Sequence, residues 1–317
     1  MRVIDVHAHV LPKSFIRAAE AGKDWHGIKT SSIRLSPKFM WSTEQRISEM
    51  DDLNVDVQVL SSHPLFYSYN KDAELGKDIA RDCNDHIAQA VKAYPKRFAG
   101  FCALPMQDIS SAIAELERAV IELGLKGAMI DDVVNERTYD SQEFLPFFQA
   151  AEQMGALIFI HQGSQTIVGL RTTKYALPIT VGGPADRTLT FASLVFGGVM
   201  DKCPNLKICL AHGGGYTCFG IGRMDLGWKV RPEARANISR PPSAYLHRFY
   251  YDSITNSEEN LRYIIDSVGI ERIFFGTEWP SDLCDDSPVE WLLGLKNLSQ
   301  DEKEAILWKN LERVLGI

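Results

Sequence analysis

The stretch Val3-Ile4-Asp5-Val6-His7-Ala8-His9 decides how the rest of the chain is interpreted, because a short apolar run leads directly into two histidines. Alternate side chains of an extended segment point to the same side, so the two imidazoles can bind one ion. Similar apolar runs lead to His161, His212 and Glu278. Polar ligands at the ends of buried strands from distant parts of a chain are typical of a metal site at the carboxyl face of a parallel barrel.

The order of the predicted elements favours a (β/α)8 barrel of the TIM type. Apolar runs typical of buried strands alternate with amphipathic helical patterns, and this alternation occurs eight times. No glycine-rich dinucleotide fingerprint follows the first strand, which favours a closed barrel over a doubly wound open sheet. We therefore predict one α/β barrel domain over residues 1–317, with residues 10–45 as an irregular insertion over the barrel mouth, after the first strand.

The periodicity places strands and helices along the whole chain. The predicted strands cover residues 3–6, 55–60, 98–104, 127–130, 157–160, 207–211, 249–252 and 273–275. The predicted helices cover residues 43–53, 72–94, 109–123, 141–154, 188–200, 217–228, 257–267 and 300–314. Thr43 is the predicted N-cap of the first of these helices.

Composition limits the classes of function. Of the 317 residues, 45% are hydrophobic, which is enough for a globular core, and the net charge of -7 argues against nucleic-acid binding. No apolar run approaches the ~18 residues of a membrane-spanning helix. Because the first predicted strand starts at residue 3, we expect no signal peptide. The six cysteines form no CxxC pair, so we expect reduced thiols in a cytoplasmic protein.

His161 and Glu278 extend the two-histidine pattern. His161 follows the fifth predicted strand, which lies across a barrel from the first, so it can complete a three-histidine face with His7 and His9. Three protein ligands and an open position are the pattern of catalytic zinc. Glu278 follows the eighth strand, next to the first, where a carboxylate can bind the metal or take a proton. A structural salt bridge at the rim is the alternative for Glu278.

His212 follows the sixth predicted strand, beside the strand of His161. It can be a further ligand, or it can be the general base that activates a metal-bound water. We favour the base, because a histidine outside the ligand set keeps its lone pair and titrates near the working pH. The glycines of Gly213-Gly214-Gly215 would let the backbone approach a substrate closely.

One metal is expected. A two-metal site in this kind of barrel needs a bridging ligand, often a lysine at the carboxyl end of the fourth strand. Here Lys126 precedes that strand, and Asp131 and Asp132 follow it. The two aspartates leave a second metal open as an alternative, and negative charges at a helix N-terminus are the other interpretation.

Together these motifs resemble the second amidohydrolase family. The similarity extends almost end to end and includes His7-x-His9, His161, His212-Gly-Gly-Gly215 and Gly276-Thr-Glu-Trp-Pro280. Within the family, the chain is most similar to the α-amino-β-carboxymuconate-ε-semialdehyde decarboxylases and related metal-dependent decarboxylases.

The resemblance implies a ligand set for one divalent metal. The ligands would be His7, His9, His161 and Glu278, with zinc as the expected metal and manganese or iron as alternatives. It also implies that His212 is the catalytic acid or base. Glu278 would serve as a ligand or, if it is free, as a proton carrier.

The resemblance further implies a homodimer in which two arginines hold the substrate carboxylates. Arg46 matches the first arginine. Arg223 matches the second, which reaches into the active site of the neighbouring subunit. A guanidinium can bind a carboxylate through two parallel hydrogen bonds, which is a physical reason for arginine at both positions.

Two departures from the family's pattern bear on the substrate. The family usually has aspartate at the position of Glu278, and one extra methylene moves the carboxylate by about a bond length. At the position of His161-Gln162-Gly163-Ser164 in this chain, the close decarboxylase relatives have a motif that resembles His-Pro-Trp. An aromatic wall of the pocket is therefore missing, and we predict a substrate other than the muconate semialdehyde itself.

The sequence thus predicts a metal-dependent, non-oxidative decarboxylase of a small aromatic or enoic, muconate-like carboxylic acid, with neither nucleic acid nor membrane as a partner. The alternative is an amidohydrolase-superfamily hydrolase or hydratase that uses the same metal-activated water. A third hypothesis is a non-catalytic barrel that serves as a subunit of a complex. Release of CO₂ separates the first two, because hydrolysis and hydration release none, and absence of a tightly bound metal would favour the third.

Overall fold

The computed structural model describes residues 1–33, 35–163 and 165–317. Arg34 of the predicted insertion and Ser164 of the motif after His161 therefore lie outside the described residues. The strands are β1 (Ile4–Val10), β2 (Val57–Ser62), β3 (Phe98–Gly100), β4 (Gly127–Ile130), β5 (Leu157–Ile160), β6 (Lys207–Leu210), β7 (Tyr250–Asp252) and β8 (Ile273–Phe274).

Helices separate these strands along the chain. They are α1 (Lys13–Glu20), α2 (Thr43–Asp52), α3 (Ala73–Ala93), α4 (Ile109–Glu117), α5 (Leu145–Gln153), α6 (Gly183–Phe196), α7 (Val199–Lys202), α8 (Thr217–Val230), α9 (Glu258–Val268), α10 (Pro288–Gly294), α11 (Gln300–Glu304) and α12 (Asn310–Leu315). In the part of the chain that the structure describes, no helix is long and apolar enough to cross a bilayer.

All strands run parallel, in two sheets with the orders β1-β2-β3 and β4-β5-β6-β7-β8. Further contacts link the open edges of the two sheets. A parallel bridge joins Cys102, after β3, to Ala128 of β4. At the other edge, the amide of Val6 donates to the carbonyl of Phe275, just after β8, at 2.9 Å. These links are consistent with a (β/α)8 barrel, and the predicted fold class is confirmed.

The barrel interior gives the site an apolar floor. Every residue of β1 and β2 is buried, as expected of parallel strands covered on both faces. Phe101 and Phe159 stack with ring centroids 5.9 Å apart, and the ring of His7 meets Phe159 edge-on at 4.9 Å. The imidazole of His7 therefore stands on packed aromatic rings, above which the strand ends carry the polar residues.

Residues 10–45 contain more regular structure than predicted, because α1 forms within them. Phe15 of α1 packs edge-on against Trp25 at 5.6 Å and against Phe66 at 5.1 Å, in an apolar cluster beside the main core. The expectation of a wholly irregular segment is wrong, since this cluster buries one side of a short helix. The role of residues 10–45 as an insertion over the mouth, and the single-domain division, stay predictions.

The start of α2 also differs from the prediction. Ser42, not Thr43, is the N-cap: its hydroxyl accepts the amide of Gln45, whose side chain accepts the amide of Ser42 in return. This reciprocal pair needs Gln or Glu three residues after the cap, and Ser42 meets that condition whereas Thr43 is followed at that spacing by Arg46.

Candidate metal and active site

The predicted site residues meet at the carboxyl ends of the strands. His7, His161, His212 and Glu278 place their ligand atoms within 4.8 Å of one another. His9 adjoins this group, with its Nε2 3.2 Å from Nε2 of His7. Residues from β1 and from the ends of β5, β6 and β8 are thus brought to one point, as a site at the carboxyl face of a barrel requires.

Hydrogen bonds behind the two histidines of β1 aim their Nε2 atoms at this point. Nδ1 of His7 is 2.9 Å from Oδ2 of Asp252. The hydroxyl of Ser61 donates to the carbonyl of Ala8 at 3.2 Å, so its oxygen accepts from Nδ1 of His9 at 3.1 Å. With the protons on Nδ1, both rings offer an Nε2 lone pair to a metal.

His161 and His212 carry unsatisfied nitrogen atoms. Nδ1 of His161 is bonded to the carbonyl of Gln162 at 2.9 Å, which leaves its Nε2 free. Among the described residues, neither this Nε2 nor that of His212 has a hydrogen-bond partner, although both atoms are buried. Their distances to Oε1 of Glu278 are 3.7 and 3.3 Å.

Buried polar atoms without partners are rare, so a group that satisfies these nitrogens is expected there. Imidazole nitrogens with one carboxylate are a ligand set for zinc and for other divalent transition metals. The residues present therefore fit a divalent metal.

The electrostatics of the site favour the ligand forms of these side chains. Burial lowers the pKa of His161 to about 3 and that of His9 well below its ordinary value, so both rings are neutral, as metal binding requires. Burial alone would raise the pKa of Glu278, but His212 and His161 outweigh it and hold that pKa well below its ordinary range. For His212, burial opposes the charged form, yet Glu278 and Asp252 raise its pKa.

The backbone at two of these residues is strained. His212 has φ of 56° and Glu278 has φ of 64°, in the left-handed region that side chains rarely adopt, and such strain concentrates at functional sites. The amide of Glu278 donates to the carbonyl of His7 at 2.8 Å, which holds it in place. After His212, a Cβ on Gly215 would lie 2.0 Å from the carbonyl oxygen of Pro184, so glycine is needed there by packing within the protein.

Asp5 ties the parts of the site together. Its carboxylate is fully buried and accepts the amide of His7 at 2.9 Å, and both the amide and the hydroxyl of Thr277 at 3.0 and 2.7 Å. It also accepts from the side chain of Gln58 at 3.2 Å, whose Oε1 accepts from Nε of Arg46 at 2.8 Å. The carboxylate of Asp5 thus holds the backbone of His7 and Thr277. Through Gln58 it also positions Arg46.

Of the two predicted arginines, Arg46 lies beside the site. It is buried, donates to the carbonyl of His9 at 2.9 Å and stacks on the ring of Trp279 at 4.2 Å. Burial lowers its pKa to about 9, and its Nη2 has no hydrogen-bond partner among the described residues. Arg223 is exposed on α8 and, within the described ranges, makes no hydrogen bond or ion pair with the site of its own chain.

An open cavity of about 430 Å³ reaches His212 and Glu278. Its walls include the apolar residues Ile179, Pro184, Ile254 and Leu283 and the polar residues Thr255 and Asn260. No lysine or arginine of the described chain lines it. This volume suits a small organic substrate.

Asp131 and Asp132 do not join the group of ligand atoms. No helix begins at these residues, so their interpretation as helix N-terminal charges is wrong. Asp131 accepts the amide of Gly163 at 2.7 Å, and Asp132 forms an ion pair with Arg187 at 2.8 Å. Asp131 therefore contacts the segment that follows β5, and Asp132 contacts α6 through Arg187.

Several residues of the site were not predicted from the sequence. Asp252 is the last residue of β7, and this position at the carboxyl end of a strand is the signal that could have identified it. Ser61, Gln162 and Arg187 gave no local signal, because their contacts join separate segments of the chain.

The sequence profile of the amidohydrolase family matches residues 4–317. Over 330 aligned residues, the chain is 36% identical to a 2-amino-3-carboxymuconate-6-semialdehyde decarboxylase of Dictyostelium discoideum, which covers 99% of this chain and 91% of that protein. The family match spans the positions of all the predicted site residues, from His7 to Glu278.

Solved structures show the same architecture. The chain superimposes on a 5-carboxyvanillate decarboxylase from Sphingomonas paucimobilis with a TM-score of 0.86 and 27% identity, over 100% of this chain and 99% of that one. A dihydroxybenzoic acid decarboxylase from Polaromonas sp. JS666, solved with manganese and the inhibitor 2-nitroresorcinol, gives a TM-score of 0.85 and 25% identity, over 99% and 97%. A relative with this fold thus holds a divalent metal.

Proposed function

The chain belongs to the amidohydrolase family, and from that premise we propose that it is a metal-dependent, non-oxidative decarboxylase of a small aromatic carboxylic acid. The relatives described above are named decarboxylases, which supports a carboxy-lyase. The observation that carries the proposal is the convergence of His7, His161, His212 and Glu278, with two unpartnered Nε2 atoms, beside a cavity of substrate size.

In this proposal the metal is zinc, held by His7, His9, His161 and Glu278. His212, whose ligand atom lies in the same group, stays outside the ligand set as the proton carrier. Manganese and iron accept the same donor set, so metal analysis has to decide among them. When bound, the divalent metal supplies Lewis-acid stabilisation of the negative charge that develops on the substrate.

His212 is the proposed proton donor. Decarboxylation breaks the bond between a substrate carbon and its carboxylate carbon, CO₂ leaves, and the electron pair remains on the substrate carbon, which then takes up a proton. The side chain of His212 is 13% exposed and borders the cavity, whereas those of His7 and His161 are 0% and 4% exposed. Glu278, 3.3 Å from His212, orients the imidazole, and water in the cavity returns the proton afterwards.

Arg46 is the proposed partner of a substrate carboxylate, which would have to extend beyond the cavity of about 430 Å³, because Arg46 lines a smaller pocket that it shares with His9 and Trp279. Its Nη2 has a free donor, and its other nitrogens are fixed by Gln58 and by the carbonyl of His9. A guanidinium held in this way loses little conformational freedom when it binds an anion. The apolar walls of the cavity and the side chains of Thr255 and Asn260 favour a ring that carries hydroxyl or carbonyl substituents.

We also propose a homodimer in which Arg223 enters the partner's active site. On α8, Phe219, Leu226 and Val230 are 86%, 55% and 58% exposed, at a spacing that puts them on the same side of the helix as Arg223. Large apolar side chains clustered on a surface are typical of an interface. The predicted cytoplasmic location stays a prediction.

The test begins with metal content per chain in protein purified without added metal, followed by CO₂ release from a panel of aromatic and muconate-type acids. About one transition metal per chain with release of CO₂ supports the proposal. Turnover of a substrate without release of CO₂ would favour a hydrolase or hydratase. Failure to bind any metal, even when zinc or manganese is offered, would overturn both enzymatic functions.

A further inference from the structure

A fully buried arginine lies behind the metal-site histidines, although no step of the proposed reaction uses it. Arg187 of α6 is 0% exposed, and its Nη1 is 2.8 Å from Oδ2 of Asp132, which is 3% exposed. Its Nη2 donates to Oε1 of Gln162 at 2.5 Å. An ion pair is expensive to bury, and replacement of such pairs by apolar residues is often stabilising, so stability alone is a weak explanation for it.

The contact with Gln162 leads directly to a proposed metal ligand. Gln162 follows His161 in sequence, and its carbonyl oxygen is 2.9 Å from Nδ1 of His161. That bond places the ring proton on Nδ1 and leaves Nε2 for a metal. Arg187 therefore binds the side chain of Gln162, and the backbone carbonyl of Gln162 binds the imidazole of His161.

We propose that the Asp132–Arg187 ion pair is a positioning device for His161, and that it acts through Gln162. The inference rests on the proposed metal site. The ion pair fixes the Gln162 side chain, and this restrains the peptide group whose carbonyl orients the His161 ring. Asp131 adds a second restraint, because its Oδ1 accepts the amide of Gly163, the next residue, at 2.7 Å.

The packing of α6 supports this role. Gln162 is 6% exposed, and a Cβ on Gly183, the first residue of α6, would lie 2.8 Å from its Cδ. Gly183 has a helical φ of -55°, so alanine suits its backbone and would disturb mainly the Gln162 amide. Helix α6 therefore contacts the Gln162 side chain twice, through the guanidinium of Arg187 and through the backbone at Gly183.

Variants that keep the ion pair give the cleanest test. Gln162→Met removes the acceptor for Arg187 at similar volume, and Gly183→Ala displaces the same amide without removing a hydrogen-bonding group. Gln162→Glu keeps an acceptor, and its charge strengthens the bond. The measurements are the Kd for Co²⁺, by competition with a chelator, and the visible spectrum of the Co²⁺-loaded protein, which reports ligand geometry.

We expect Gln162→Met and Gly183→Ala to raise the Kd for Co²⁺ by about 10- to 100-fold and to alter the spectrum, as loss of support behind a ligand usually does. Gln162→Glu should stay within about threefold of the wild type, because its side chain is still anchored. Arg187→Met combined with Asp132→Asn removes both charges, and it should weaken Co²⁺ binding as much as Gln162→Met does.

Arg118→Met is the matched control. Arg118 pairs with Glu115, a 2% exposed carboxylate of α4, at 2.8 Å and makes no contact with the site. Its loss should lower the melting temperature and leave the Kd for Co²⁺ unchanged.

Metal binding by the wild-type protein separates a failure of the proposed function from a failure of the positioning role alone. Wild-type protein that binds no Co²⁺, Zn²⁺ or Mn²⁺ would overturn the proposed function and the positioning role with it. Wild-type binding combined with an unchanged Kd and spectrum in Gln162→Met would overturn the positioning role alone.

Discussion

Nδ1 of His7 lies 2.9 Å from Oδ2 of Asp252, and neither side chain has any exposed surface. The other carboxylate oxygen of Asp252 accepts the amide of Gly213, next to His212, at 2.9 Å. The carboxylate of Asp252 therefore fixes the ring of His7 and also the backbone of Gly213, the residue after His212. A carboxylate behind a ligand histidine sets the ring's orientation and raises its basicity.

Asp252→Asn should weaken metal binding while the chain still folds. The amide has the same shape as the carboxylate but lacks the charge that supports the imidazole of His7, so we expect the metal Kd to rise by about 10- to 100-fold. Competition with a chelator measures it. Asp82→Asn is the control, because Asp82 pairs with His26 at 3.2 Å, away from the metal site. Equal affinity in Asp252→Asn and the wild type would contradict the assigned role.

His212→Asn separates a proton carrier from a metal ligand. If His212 carries the proton, the variant should retain about one metal per chain, and CO₂ release should fall by about 10²-fold or more. Metal analysis and CO₂ release on the same preparation measure both quantities, with the exposed His247→Asn as the control. Loss of the metal would instead make His212 a ligand, and full activity would remove it from the mechanism.

Much of this site was predictable because its signals are local. A strand pattern followed by His7 and His9 at a two-residue spacing needs no knowledge of distant residues, and the same holds for His161 and for Glu278 after their apolar runs. The barrel then follows from eight repeats of strand and helix, which leave few ways to bring these ends together.

The supporting contacts were not predictable, because they depend on the packed structure. His7 and Asp252 are separated by 245 positions in the sequence, and no periodic signal in the chain would pair them. The sequence predicts a helix that starts at residue 188, which leaves Arg187 outside it. In the structure α6 starts at Gly183 and carries Arg187 into the interior. The sequence leaves Asp131 and Asp132 as candidate metal ligands or helix charges, whereas in the fold Asp131 binds the amide of Gly163 and Asp132 pairs with Arg187.

Arg46→Met should weaken substrate binding. Loss of a charge-assisted hydrogen bond costs about 1.5–3 kcal/mol, so we expect KM to rise by about 10- to 100-fold with a smaller change in kcat. Arg46→Lys should restore only part of this, because an ammonium lacks the planar guanidinium that stacks on Trp279. Steady-state kinetics measure KM and kcat on preparations whose metal content has been checked. The control is Arg97→Met, because Arg97 is a partly exposed arginine that pairs with Asp51. An unchanged KM would exclude Arg46 from substrate binding.

Asp131 should make the protein less stable as the pH rises. Burial, reinforced by the charge of Asp132, raises the pKa of Asp131 to about 8. The unfolded chain loses this proton near pH ~4. Between these values the native state binds one proton more than the unfolded state, so this residue lowers the free energy of unfolding by up to about 1.4 kcal/mol per pH unit as the pH rises.

Asp131→Asn removes this contribution and keeps an oxygen for the amide of Gly163. The variant should therefore gain stability relative to the wild type between pH 5 and pH 8, which urea titrations at both values would measure. Asp286→Asn, at an exposed carboxylate, should leave the difference between the two pH values unchanged. Lower stability of Asp131→Asn at pH 8 would mean that the ionised carboxylate is the native form.

Mixed dimers test whether Arg223 acts in the partner's active site. A chain with Arg223→Ala keeps its own His212, and a chain with His212→Asn keeps its own Arg223. In a mixed dimer one of the two sites then has both groups, but only if the arginine is supplied across the interface. Random mixing makes half of the dimers mixed, so about a quarter of the wild-type CO₂ release should return.

The control replaces the second chain by one with both substitutions, which offers no arginine to its partner and should restore nothing. Native mass spectrometry verifies that mixed dimers form. No recovery in verified mixed dimers would place Arg223 outside the partner's site. A chain that stays monomeric would remove the proposed interface as well, since the exposed Phe219, Leu226 and Val230 would then remain in contact with water.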